Sequence, residues 1–163
     1  MPNETPASEP NVIPVEEMRK LSGLEMLRGM MEGRYPPPPI GLLMDFDLIE
    51  VEHGRAVFSG NPQRKFYNPI GTVHGGYAAT LLDSCMGCAV HSILRAGQAY
   101  TTVEFKINLV RPMTENTGTV RAEGNTINVG RQIATAEGFL YDPAGKVLAH
   151  GTTTCIILAH RAH

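Results

Sequence analysis

A chain of 163 residues with 42% hydrophobic and 18% charged residues is long enough for one domain with a sizeable core. Its net charge of −2, with Lys and Arg scattered along the chain, provides no basic face for nucleic acid or an anionic membrane. No run of about 18 apolar residues occurs, so no transmembrane helix is expected, and three cysteines, an odd count, argue against a disulfide framework and for a cytoplasmic protein.

The first 14 residues, MPNETPASEPNVIP, have neither a basic n-region nor an apolar h-region, so no signal peptide is expected. Their Pro, Glu, Ser and Asn content predicts a disordered tail. Residues 15–39 read as a helix and a connector. Val15, Met18, Leu21, Leu24, Leu27 and Met30/Met31 recur at a three-to-four spacing, which predicts one amphipathic helix with acidic residues in its first turn and a stop near Gly33. The run Tyr35-Pro-Pro-Pro-Pro then bars helix and predicts a stiff extended connector.

Residues 40–159 form the expected main domain, followed by a short tail at 160–163. Residues 41–61 predict a strand, a turn at His53-Gly54 and a second strand. Residues 62–72 read as a loop, with Asn68-Pro69 and Gly71 as turn residues. A helix is expected from about His74 to Arg95 or Ala96, with Gly97 as its cap. Four alternating segments follow, at 99–112, 118–130, 131–142 and 146–158, with a turn at Asp142–Gly145. Hairpin-length links among them imply antiparallel pairing. The fold class is therefore α+β: an antiparallel sheet wrapped around one long helix, with an extra N-terminal helix.

The long helix contains the unusual residues. Its apolar positions, from Tyr77 through Leu94, cover more than one stripe, so most of its surface is expected to be buried. Asp83 sits among them. A carboxylate in such a place needs a partner, because desolvation disfavours its charged form; it is either a structural hydrogen-bond acceptor or a site residue. Gly75 and Gly76 open the same helix. They either relieve crowding against a strand or expose backbone N–H groups that polarise a carbonyl. Asp83 and Gly75 lie roughly 12 Å apart along the axis, so one helix cannot bring both to one reacting carbon. Two antiparallel helices of a two-fold homodimer could, and Gly87 would let them approach closely.

Other motifs carry less. Cys85-x-x-Cys88 suggests redox or zinc chemistry, but it lies on an apolar helix with only Cys155 as a further sulfur ligand, so packing is the expected role and no metal site is expected. His150, His160 and His163 match no metal spacing. His74 reads as a loop or helix-cap residue. Thr101 and Thr102 open a strand after the helix, where a hydroxyl could reach a water near a carboxylate. No phosphate-binding glycine loop or nucleophile elbow occurs.

The pattern Asn68-Pro-x-Gly71-x-x-His74-Gly75-Gly76-x(5)-Leu82-Asp83 resembles the signature of hotdog-fold acyl-CoA thioesterases, PaaI-like (phenylacetate-degradation and 4-hydroxybenzoyl-CoA) branch. The resemblance spans about residues 41–158 and includes the segments VEFKINLVRP and GRQIATAEGFLYDPAGKVLAHGTTT. It implies a helix held in an antiparallel sheet, a homodimer and commonly a dimer of dimers. It also implies hydrolysis of a short or aromatic acyl-CoA, with coenzyme A part of the substrate and no other cofactor. By resemblance, Asp83 is the catalytic carboxylate, as nucleophile or general base, and Gly75 supplies the N–H that polarises the thioester carbonyl in the partner's site. Asn68 assists at the thioester or its water, His74 supports, and Thr102 helps hold the water, with Thr101 a close alternative. Gly76, Thr101, Arg111 and Arg131 are candidates for substrate binding, and Lys106 and Arg95 are further candidates for the coenzyme A phosphates. The first 40 residues fall outside the resemblance. The other readings are a non-catalytic acyl-CoA-binding or sensing module on the same scaffold, and a hydratase or dehydratase, for which the helix lacks the Asp/His pair.

Overall fold

The computed structural model describes residues 11–159; residues 1–10 of the expected tail and the 160–163 segment, with His160 and His163, lie outside them. Helices α1 (Val15–Met18) and α2 (Gly23–Met31) replace the single helix predicted by the N-terminal periodicity. The reason is local. Ser22 Oγ accepts from the Glu25 N–H while the Glu25 carboxylate accepts from the Ser22 N–H, a capping box that starts a new helix. Gly23 stands at that start because its N–H donates to the Leu94 carbonyl at 3.0 Å, and a Cβ there would fall 1.7 Å from the His91 carbonyl oxygen. Ahead of α1, Ile13 is buried and the Asn11 N–H donates to the Pro37 carbonyl, so the extension is tied down from residue 11.

The fourth proline of the run opens α3 (Pro39–Met44), where connector and strand were expected. Proline at the first helical position is preorganised and forfeits no hydrogen bond. Asp45 ends this helix in the left-handed region, at φ 53°. Strands β1 (Phe46–Glu52) and β2 (Arg55–Gly60) then form the expected hairpin, with Gly54 at φ 84° in the turn.

The long helix α4 (Gly75–His91) is shorter than expected, and Gly97 (φ 79°) ends the turn after it. Strands β3 (Gln98–Leu109), β4 (Val120–Val129), β5 (Ile133–Tyr141) and β6 (Val147–Ala159) complete a six-stranded sheet in the order β1-β2-β4-β5-β6-β3. Every pairing is antiparallel. One expected neighbour pair is absent: β3 does not form a hairpin with β4 but pairs with β6 at the edge of the sheet. Its outward apolar residues Val103, Phe105 and Leu109 are between 42% and 59% exposed.

Helix α4 lies against one face of the sheet, and Tyr77, Leu81, Leu82, Cys85 and Met86 are buried there with Phe58, Val120, Ala136 and Leu140. Contact is close because the strands offer small residues beneath it. A Cβ on Gly124 would fall 2.3 Å from the Cys85 carbonyl oxygen, and one on Gly138, its register partner, 2.8 Å from Met86 Cγ. The helix is not covered all round, as its composition predicted: Ala79, Thr80, Asp83 and Ser84 are only half-buried. Gly87 is buried, and a Cβ there would meet the Tyr100 hydroxyl at 2.7 Å. Its expected role in helix–helix approach is therefore replaced by contact with a tyrosine of the same chain.

His91, the last residue of α4, is capped by α2. Both ring nitrogens are buried and have no hydrogen-bond partner among the described residues, and burial pushes the imidazole down to about 4. A folded-state value below the ordinary one stabilises the fold fully above about pH 6.5, and the contribution is lost as pH falls from there toward 4. Urea unfolding is expected to show about 2 kcal/mol of stability lost between pH 7.5 and 5 through this residue. The His91→Phe chain should lack that component; an equal pH dependence in both chains would contradict it.

Candidate active site

The start of α4 is set by the preceding loop. Asn68 Oδ1 accepts from the N–H groups of Ile70 and Thr72, both at 3.1 Å, and Asn68 Nδ2 donates to Thr72 Oγ1 at 2.9 Å. This side chain builds the 68–72 turn, in which Gly71 takes φ 88°. The Val73 N–H donates to the Met113 carbonyl and the His74 N–H to the Phe66 carbonyl, each at 2.8 Å, which pins the helix entrance.

His74 is the N-cap, as its position suggested. Its Nδ1 accepts from the Gly76 N–H at 2.8 Å, which leaves the ring proton on Nε2. The two glycine amides are thereby distinguished. Gly76 is satisfied by the cap, whereas the Gly75 N–H donates to no acceptor among the described residues and stands at the positive end of the helix dipole. Gly75 lines a cleft of about 220 Å³ with Asn68, Thr72, Leu109, Arg111 and Met113. A Cβ at Gly75 would lie 2.6 Å from Leu109 Cδ1.

Asp83 lies two turns further along and lines a different cleft, of about 320 Å³, with Ile40, Ala79, Thr80, Ser84 and Phe105. The Thr102 hydroxyl donates to Asp83 Oδ1 at 3.1 Å, the only side-chain hydrogen bond to this carboxylate among the described residues. The second carboxylate oxygen is left for another donor. A register irregularity between Thr102 and Glu104 bends β3 at this point. Thr101, the alternative hydroxyl, is exposed and lines neither cleft, as strand alternation requires.

One protomer therefore presents the candidate residues in two groups. Asn68, Gly75 and Arg111 are together, and Asp83 and Thr102 are together, but the two groups open into separate clefts. Arg111 also donates to the Val147 carbonyl, so its stem is anchored. Arg131, Lys106 and Arg95 are exposed and line neither cleft. Ile40 and Phe105 were not foreseen: Ile40 stood at the first position of the expected main domain, ahead of its first predicted strand, and Phe105 looked like any alternating strand residue.

Cys85 is fully buried in the core cluster and Cys88 is half-buried against it. Burial raises the Cys85 thiol far above its ordinary value and pushes Cys88 up to about 12.

The model of the thioesterase superfamily matches residues 70–149, which include Gly75, Asp83 and Thr102. A protein named as an esterase in Saccharolobus solfataricus is 30% identical over 115 residues, 71% of this chain and 80% of its own length. The chain belongs to the thioesterase superfamily. Another protein named as an esterase, from Halobacterium salinarum, is 33% identical over 88 residues, 53% of this chain; the match spans just over half (56%) of that relative. Among solved structures, a thioesterase described as phenylacetic acid degradation-related, from Ralstonia eutropha, superposes with TM-score 0.73 and 25% identity, covering 80% of this chain and 98% of its own. A Streptococcus mutans protein bound to acetyl-CoA superposes with TM-score 0.64 and 24% identity, over 72% of this chain and 91% of its own. The superfamily assignment makes this chain a thioester hydrolase of the hotdog fold, the sheet-around-helix architecture expected from the motif. No helix among the described residues is long and apolar enough to cross a membrane.

Proposed function

We propose that the protein hydrolyses acyl-CoA thioesters at sites shared between two copies of the chain. The observation that carries this is the separation into two clefts of one protomer of a Gly75 N–H and an Asp83 carboxylate oxygen that have no partner among the described residues. Placing two α4 helices antiparallel brings the Gly75 half of one copy to the Asp83 half of the other. The thioester carbonyl oxygen then accepts from the Gly75 N–H, which meets charge as it develops at the helix N-terminus. Thr102 holds Asp83 Oδ1, so Oδ2 faces the reacting carbon. It either takes a proton from the attacking water or attacks the carbon itself, forming an anhydride that water then opens. In both routes the carbon–sulfur bond breaks, the coenzyme A sulfur leaves with the electron pair and is protonated, and the acid is released. The chemistry draws on side chains and backbone alone, with no cofactor beyond the coenzyme A of the substrate.

Asn68 keeps one Nδ2 hydrogen after building its turn and supports the thioester or its water. His74 supports indirectly, by consuming the Gly76 amide and fixing the helix start. Arg111, at the rim of the Gly75 cleft, is the candidate for a coenzyme A phosphate. The apolar edge of β3 is a surface a second sheet would cover, giving the dimer and, by a further contact, a dimer of dimers. The free thiols of Cys85, Cys88 and Cys155 suit a cytoplasmic setting.

Subunit mixing tests the shared site. Asp83→Ala and Gly75→Pro chains are each expected to be nearly inactive. Co-refolded at equal amounts, they should recover about a quarter of wild-type hydrolysis, because half of the dimers regain one of two sites. No recovery from a mixture shown to contain heterodimers would overturn the arrangement. Tight coenzyme A binding without turnover of any thioester would favour the binding-module reading instead.

A further inference from the structure

We infer that the N-terminal extension roofs an acyl-chain cavity that continues from the Asp83 cleft, so that the preferred substrate carries an unbranched aliphatic acyl group of roughly eight to ten carbons. The inference rests on the thioesterase reading and goes beyond the short or aromatic group that the resemblance implied.

A cavity of about 350 Å³ lies between α2, Pro38, the end of α4 and the start of β3, lined by Met26, Leu27, Met30, Pro38, Cys88 and Tyr100 among others. Three chain segments lead from the Asp83 cleft to it, each in the same sense. On α4, Thr80 and Ser84 line the first cleft and Cys88 and His91 the second; positions 80, 84, 88 and 91 form one stripe at helical spacing. On β3, Thr102 touches Asp83, and Tyr100, the next residue on that face, lines the cavity. In the extension, Ile40 lines the first and Pro38 the second.

The path from Asp83 to His91 covers about 12 Å of helix axis, which an extended chain of roughly eight to ten carbons spans at ordinary carbon–carbon bond lengths. The lining suits such a chain. Met18, Met26 and Met30 offer unbranched, adaptable side chains that fill space around a flexible ligand. The titratable groups facing the cavity are uncharged at neutral pH: His91 is held down to about 4, Cys88 up to about 12, and the Tyr100 phenol is raised well above its ordinary value. A compact aromatic acyl group would fill the first cleft and leave this cavity unused.

The test is kcat/KM for acetyl-, butyryl-, octanoyl-, dodecanoyl- and phenylacetyl-CoA, in the wild-type chain and in Met30→Trp and Met26→Phe, two substitutions that fill the cavity from different turns of α2. Wild type is expected to favour octanoyl- over acetyl-CoA by at least about tenfold, since each buried methylene is worth about a fourfold gain. Each substitution should lower that ratio about tenfold. Preference for acetyl- or phenylacetyl-CoA, or a ratio unmoved by both substitutions, overturns the inference while leaving the thioesterase reading intact. Binding of octanoyl-CoA and coenzyme A to Asp83→Asn by calorimetry separates the two readings. Octanoyl-CoA bound at least about tenfold more tightly, with the gain lost on adding Met30→Trp, supports the cavity even if wild type hydrolyses nothing; equal affinities overturn it.

Discussion

Asp83→Asn is expected to lower kcat for acyl-CoA hydrolysis by about two or more orders of magnitude, the scale of a lost general base or nucleophile. The amide has nearly the shape of the carboxylate, and its oxygen still accepts from the Thr102 hydroxyl that now donates to Oδ1 at 3.1 Å. Asp83 is half-buried and forms no salt bridge among the described residues, so the exchange leaves no stranded cation in the core. Melting temperature should stay close to wild type. KM should change far less than kcat, because the proposed mechanism has the residue act at the reacting carbon and not on the coenzyme A moiety. Thiol release under saturating substrate gives kcat, and a thermal melt of the same preparation guards against misfolding. Near-wild-type kcat in a folded Asp83→Asn chain would remove Asp83 from the mechanism.

Gly75→Pro is expected to lower kcat by about 10²–10³, the cost of one oxyanion donor. This substitution is unusually clean. Gly75 is the first helical residue after the His74 cap, a position proline favours because the missing N–H is not part of the helix ladder. His74 already has the extended backbone, φ −60° and ψ 138°, that a following proline requires. The only bond lost is therefore the one the substrate would use. Gly75→Ala is the control: it keeps the N–H and brings a Cβ to 2.6 Å from Leu109 Cδ1, a flexible side-chain end that can move. Its kcat should fall by less than about tenfold, so that proline is at least about tenfold the worse of the two. Equal losses in Ala and Pro would assign the effect to crowding and would remove the N–H from the mechanism.

Local patterns legible in the chain account for the four C-terminal strands, the hairpin around Gly54, the N-cap role of His74 and the turn built by Asn68. Each rests on alternation or on side-chain to backbone bonds within a few residues. The N-terminal region was misread for the same kind of local reason. Periodicity ran through Leu21 and Leu24 without registering the Ser22–Glu25 capping box, and the proline run hid a proline able to start a helix. The partner of β3 was not legible, because hairpin-length spacing says nothing about a strand that crosses to the far edge of the sheet.

The sequence by itself determined that a site using both Asp83 and Gly75 needs two copies of their helix. Asp83 and Gly75 sit eight residues apart on one helix, and a helix is a rigid ruler of fixed rise. Only the tertiary structure decided which atoms are free to act. His74 consumes the Gly76 amide and leaves that of Gly75, Thr102 rather than Thr101 holds the carboxylate, and Arg111 rather than Arg131 stands at the cleft. These choices depend on strand faces, register shifts and loop closures between segments distant in the chain. Such contacts leave no periodic trace in sequence, because they are set by packing against the whole sheet.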